Sequence, residues 1–172
     1  MMGPVAAVRT CFGKYATFSG RALRPEFWWF KLFLVIGGAG ASAVDVALLG
    51  QDVTGAAGSA AGPGTGAVIL SAESGAVGGL FGLVTFLPAL AVTWRRLHDV
   101  GRSGAWALSP AAGALLGILL SSMLFVGVGP SPWLGLLPGA CAVLPALVLL
   151  IWLIGPGTPG PNRFGTYPGA AA

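Results

Sequence analysis

Apolar residues gather into four long runs, with the polar positions between them. A bilayer span needs about 20 mainly apolar residues. Phe27–Leu49, about Ala76–Trp94, about Ala105–Val128 and Trp133–Ile154 all meet that length. Ahead of the first run, Val5, Val8, Phe12 and Tyr15 recur every three to four residues, with Arg9 and Lys14 off the stripe. This spacing predicts an interfacial helix over residues 5–18. Residues 50–66 are small, polar and glycine-rich, which predicts a flexible outer loop. The expected fold is all-α and a single membrane domain (1–172): an integral bundle of four transmembrane helices with an N-terminal interfacial helix.

Composition points the same way. Hydrophobic residues make up 55% and charged residues 8%, where a soluble domain carries about 25% charged residues. A soluble enzyme, a disordered tail and a nucleic-acid-binding module are excluded. The charges then set the orientation. Arg9, Lys14, Arg21 and Arg24 precede the first span, and Lys31 lies one turn inside it. Arg95, Arg96 and Arg102 fall between spans two and three, and Arg163 follows span four. The other two loops carry no Lys or Arg. The positive-inside rule therefore places both termini and the middle loop in the cytoplasm. The net charge of +4 reads as topology and contact with an anionic leaflet. Trp28, Trp29, Trp94, Trp106, Trp133 and Trp152 fall near span ends, the depth indole rings prefer. FWWFKLFLVI followed by Gly38-Ala39-Gly40-Ala41 loosely resembles a signal peptide, and cleavage there would leave three spans. The long basic lead and the further apolar residues argue against it.

Ionisable groups deep in a membrane are costly and mark function, and none is expected here. Asp45 lies eighteen residues beyond Phe27, roughly 27 Å along a helix at 1.5 Å per residue, near the outer boundary. Glu73 lies outside the spans, and Lys31 can snorkel to the headgroups. The remaining mid-span polar groups are Ser42, Thr85, Ser121, Ser122 and Cys141. Gly75/Gly79, Gly78/Gly82 and Gly113/Gly117 are small-xxx-small pairs that let helices approach closely. Pro88, Pro138 and Pro145 should kink or loosen their helices. Cys11 and Cys141 sit at different depths, which makes a disulfide implausible. With one histidine and no Cys/His cluster, no metal site and no cofactor is expected.

The polar inventory concentrates in three stretches on the cytoplasmic side: FSGRALRPEFWWF from Phe18, RRLHDVGRSGAW from Arg95, and GPNRFGTYP from Gly160. Pro25 and Glu26 suit a helix start. Arg95 and Asp99, four apart, share a face if span two continues that far, and Gly101 or Gly104 can terminate it. In this order and spacing the stretches resemble the DUF805 family of small bacterial inner-membrane proteins, over about residues 12–168. The resemblance implies a multi-pass inner-membrane protein with four helices. It implies no activity, since the family is one of unknown function. Ala105 departs from the aromatic expected after GRSG, though Trp106 supplies one next door. The outer loop is longer and more glycine-rich than the family pattern.

Several readings of this face stay open. As a folded cap, Glu26 and Asp99 pair with some of Arg21, Arg24, Arg95, Arg96 and Arg102. His98 bonds a backbone carbonyl, while Asn162 and Arg163 latch the tail. As an anion site, six arginines (these five and Arg163) face two acids, a local surplus of four positive charges. Guanidinium forks suit phosphate, and Gly101 and Gly104 can offer backbone N–H groups. The expected partners are then membrane lipids, anionic ones included, a second copy or another membrane protein. A catalytic reading would join His98, Asp99 and Ser103, but neighbouring helical residues point about 100° apart, and no nucleophile elbow or metal box appears. No enzyme activity is expected. A transporter or channel would need an oligomer, because four spans without buried charge form no pore alone.

Overall fold

The structure, a computed structural model, describes residues 2–49, 75–129 and 132–166. The expected loop 50–66, Glu73, Tyr167 and Pro168 lie outside the described residues. Five helices follow in order: α1 (Pro4–Gly13), α2 (Arg24–Leu49), α3 (Ala76–Asp99), α4 (Ser109–Val128) and α5 (Leu137–Ile154). Short 3-10 turns, Gly104–Leu108 and Pro132–Leu136, lead into α4 and α5. Among the described residues the only extended pairing is a single bridge between Asn162 and Gly165. Among the described residues, four stretches are long and apolar enough to cross a membrane: Arg24–Leu48, Ala76–Asp99, Gly104–Gly127 and Trp133–Ile154. The protein is an all-helical, multi-pass membrane protein. Its second span runs five residues past the expected end at Trp94, which brings Arg95 to Asp99 into the helix.

The helices form two antiparallel hairpins. In the first, α2 packs on α3, and α1 lies across both. Its core of Phe27, Phe30, Ala89, Val92 and Leu97, with Cys11 and Ala22, sits toward the arginine-bearing end. In the second, α4 packs on α5. Gly113 faces the Cys141 carbonyl and Gly117 faces Leu137 and Pro138, so closely that a Cβ on either glycine would overlap that backbone. Pro145 explains part of this: it has no N–H to take the Cys141 carbonyl, four residues earlier, so that oxygen is left to face α4. This small-residue pair works as expected. Gly75/Gly79 does not, because Gly79 meets nothing within 4 Å and Gly75 closes against Asp45 instead. The hairpins meet where Leu149 and Leu153, the buried residues of α5, join the first hairpin's core.

Helix α1 is shorter than the expected 5–18. It stops at Gly13, and the turn after it brings the Tyr15 hydroxyl against α3, where it donates to the Val84 carbonyl at 2.7 Å. Pro88 is the cause, since it cannot donate the N–H that Val84 would otherwise receive. In lipid such a carbonyl needs another donor. The chain then returns through Phe18, edge-on to Trp94. Three of the mid-span hydroxyls bond within their own helices: Thr85 donates to the Phe81 carbonyl, Ser121 to Ile118 and Ser122 to Leu119.

Asp45 departs furthest from expectation. It is fully buried and accepts the N–H groups of Val77 at 2.9 Å and Gly78 at 2.7 Å. Gly75, in the N-cap position of α3, has no side chain to bond those donors. A carboxylate from the neighbouring helix takes the role, where negative charge is also favoured by the helix dipole.

Candidate functional site: a buried guanidinium cluster

The extra turn of α3 ends at Asp99 in a Schellman arrangement. Gly101 adopts φ +74°, its N–H bonds the His98 carbonyl, and the Arg102 N–H bonds the Leu97 carbonyl. This places Arg95, Arg96, His98 and Asp99 in the interior, none more than 8% exposed. Charges so deeply placed persist only when paired and hydrogen-bonded. The cluster is organised accordingly.

Asp99 is its centre. Arg96, one turn earlier, bonds one carboxylate oxygen. Arg21, from the segment before α2, holds the other with Nε at 3.0 Å and Nη2 at 2.9 Å. Both arginines also reach past the carboxylate to backbone. Arg96 donates to the carbonyls of Leu153 at 3.2 Å and Gly155 at 2.5 Å, and Arg24 donates to Gly155 at 3.0 Å. Arg21 donates to Thr158 and Gly160, each at 2.6 Å. These carbonyls close α5 and begin its tail, where a helix leaves acceptors unsatisfied and its dipole turns negative. The arginines of the first hairpin therefore cap the second.

The tail answers with its own bonds. Thr158 donates its N–H (2.8 Å) and hydroxyl (3.1 Å) to the Asp99 carbonyl. Asn162 donates to the His98 carbonyl at 3.0 Å. Phe164 stacks flat on the His98 ring, centroids 3.9 Å apart. His98 Nδ1 lies 3.1 Å from the Gly20 carbonyl, an acceptor only, so that nitrogen carries the proton. Gly157 lies so close to the Asp99 carboxylate that a Cβ would overlap it.

Beside this cluster lies a second pair, Arg95 Nη1 to Glu26 Oε1 at 2.5 Å. The buried Cys11 thiol sits 4.0 Å from the same oxygen. Burial first and the Glu26 charge second push that thiol up to about 12, against the opposing pull of Arg95. It stays neutral at physiological pH.

Most of the expected site residues converge: Arg21, Arg96, His98, Asp99 and Asn162 in one network, Arg24 through Gly155, and Glu26 with Arg95 alongside. Arg95 and Asp99 share α3 but do not pair, because Asp99 is taken by residues three and seventy-eight positions away. Two expectations are corrected. Arg163 does not latch the tail, since its guanidinium lies over the Phe164 ring at 4.6 Å and Asn162 makes the bond. The six arginines also form no single charged face. Arg21, Arg95 and Arg96 are buried with both acids, while Arg24, Arg102 and Arg163 are exposed. Arg102 lies over the Trp152 ring at 4.5 Å. Ser103 is used locally, accepting the Ala105 N–H at 3.4 Å. Sequence reasoning missed Thr158 and the carbonyl acceptors of Gly155 and Gly160. The one available signal was the turn-rich run after α5.

Among the described residues no group of three or more His, Cys, Asp or Glu is placed to hold a metal. The arrangement can tie helix ends together and present guanidinium groups at a membrane surface.

Comparison with known proteins agrees in extent. The family described as "Protein of unknown function (DUF805)" matches residues 15–166. The chain is 34% identical over 154 residues to inner membrane protein YhaI of Escherichia coli (strain K12), covering 90% of this chain and 87% of that protein. It is 31% identical over 154 residues to inner membrane protein YhaH of the same strain, covering 90% and 88%. No solved structure matches. The family's span takes in the first two polar stretches whole and the third as far as Thr166, and the chain belongs to the DUF805 family.

Proposed function

We propose that this is a non-catalytic protein of the bacterial cytoplasmic membrane, with its arginine-bearing end in the cytoplasm. Its buried arginines clamp the two hairpins together, and its exposed arginines engage anionic lipid headgroups. One observation carries the reading: both nearby acids are held inside by Arg21, Arg95 and Arg96, leaving Arg24, Arg102 and Arg163 at the surface with no carboxylate partner among the described residues. Cations in that position attract an anionic leaflet. Trp28, Trp29 and Trp106 are exposed and stand close in sequence to these arginines, and such rings favour the membrane interface. The orientation is supported by the placement of every Lys and Arg, and the membrane by the relatives. The non-catalytic reading is supported by His98 and Asp99, whose side chains are held by structural partners.

The test uses tryptophan fluorescence in nanodiscs. Brominated phosphatidylglycerol should quench the protein more than brominated phosphatidylcholine at equal mole fraction. The preference should fall with salt and vanish in the triple variant Arg24→Gln, Arg102→Gln, Arg163→Gln. Equal quenching by the two lipids in the unaltered protein overturns the lipid reading. Periplasmic labelling of an Arg163→Cys variant in intact cells overturns the orientation.

A further inference from the structure

Arg95 uses only part of its bonding capacity. It is 1% exposed, and Nη1 bonds Glu26. Among the described residues, neither Nε nor Nη2 meets a hydrogen-bond partner, though both are buried. Those two nitrogens share one edge of the planar guanidinium, where two N–H groups lie parallel. That edge matches two oxygens of one phosphate or carboxylate. A buried donor without an acceptor costs about 1–3 kcal/mol, more when charged, and Arg95 has two.

The surroundings favour an anion. The Cys11 thiol is close by: it donates to Glu26 Oε1, the oxygen that Arg95 Nη1 also bonds, and it remains neutral, so it brings no charge and only a weak acceptor. Lys14, three residues on in the turn after α1, also acts electrostatically on Cys11. Arg95 and Lys14, from separate elements, thus both act on the Cys11 thiol, against the single carboxylate of Glu26. The edge is buried in the unit where α1, ten residues long, packs on α2 and α3. Among the described residues, two side-chain hydrogen bonds tie α1 and its following turn to α2 and α3: Cys11 to Glu26, and Tyr15 to Val84.

We propose that an oxyanion of the phosphate class seats on the Nε/Nη2 edge of Arg95, beside the Glu26–Cys11 contact, with Lys14 as its second cation. It enters as α1 tips off α2 and α3, and it exchanges slowly because α1 recloses over it. A phospholipid headgroup and free phosphate share this chemistry. The site lies inside the first hairpin, apart from the exposed arginines of the proposed function.

Native mass spectrometry tests it with two probes: phosphatidylglycerol nanodiscs in phosphate-free buffer, and maltoside micelles with inorganic phosphate. The unaltered protein should retain one bound anion through desolvation in at least one arm, and the arm identifies the source. Arg95→Lys keeps a charge for Glu26 but loses the fork, and should lower retention at least tenfold. If Arg95→Lys fails to fold, the exposed Lys14→Gln variant carries the test and should lower retention about threefold. The triple variant of Arg24, Arg102 and Arg163 should retain the anion, so failure of the surface reading is separable from failure of this one. No retained anion in either arm overturns the proposal, as does an anion indifferent to both Lys14→Gln and Arg95→Lys.

Discussion

The two hairpins meet the same difficulty by opposite means. In lipid, helices gain no hydrophobic drive toward one another. The α4–α5 hairpin answers with close backbone approach at Gly113 and Gly117, and residues 105–154 contain no Asp, Glu, Lys or Arg. The α1–α3 unit answers with polar bonds between elements: Glu26 to Arg95 at one end, Asp45 to the start of α3 at the other, and Tyr15 to Val84 between. Small-residue contact suits two helices that need only stay adjacent. Directed bonds fix register and depth, and the cluster around Asp99 depends on both.

The contrast can be broken from either side. The largest expected effect is Asp99→Ala, which leaves Arg21 and Arg96 buried without their carboxylate. Removing one partner of a buried ion pair costs roughly 3–5 kcal/mol. Thermal unfolding in detergent should show that loss, with faster proteolysis of the tail near Gly160. Gly117→Val comes next. Overpacking costs about 1–3 kcal/mol, and the damage should stay in the second hairpin, leaving the Asp99 cluster protected from hydrogen exchange. Gly139→Ala, with nothing within 4 Å, is the control and should change little. Asp45→Ala should cost about 0.5–2 kcal/mol, the range for a lost helix cap, read as lower unfolding temperature and faster exchange at Val77 and Gly78.

The smallest effect is a pH dependence. Cys11 ionises near 9 when unfolded and near 12 when folded. Its neutral form therefore favours the folded state below pH 9, and that contribution is lost as pH rises from 9 toward 12. The unfolding temperature should fall over that window more steeply in the unaltered protein than in Cys11→Ala.

The sequence made the spans legible because length and apolarity alone decide whether a helix can cross a bilayer. It made the site legible as a set, since Arg21, Arg96, His98 and Asp99 do meet with Asn162. It did not assign the partners. Arg95 and Asp99 stand at helix spacing, yet each finds its carboxylate or guanidinium elsewhere, because contacts across helices outrank neighbours along one. The acceptors that organise Arg24 and Arg96 are backbone carbonyls, which every residue carries and no letter announces. Asp45 was located correctly along α2 but its role was invisible, because the need it meets belongs to the glycine-led start of a different helix.

Pro88 makes the third helix dependent on a residue made long before it. The oxygen at Val84 is completed by a hydroxyl 69 positions upstream, so an N-terminally shortened protein would hold a bare carbonyl in hydrocarbon. The segment ahead of α2 thus completes a helix that lies after it in the chain, and α3 is fully paired only once the two have met.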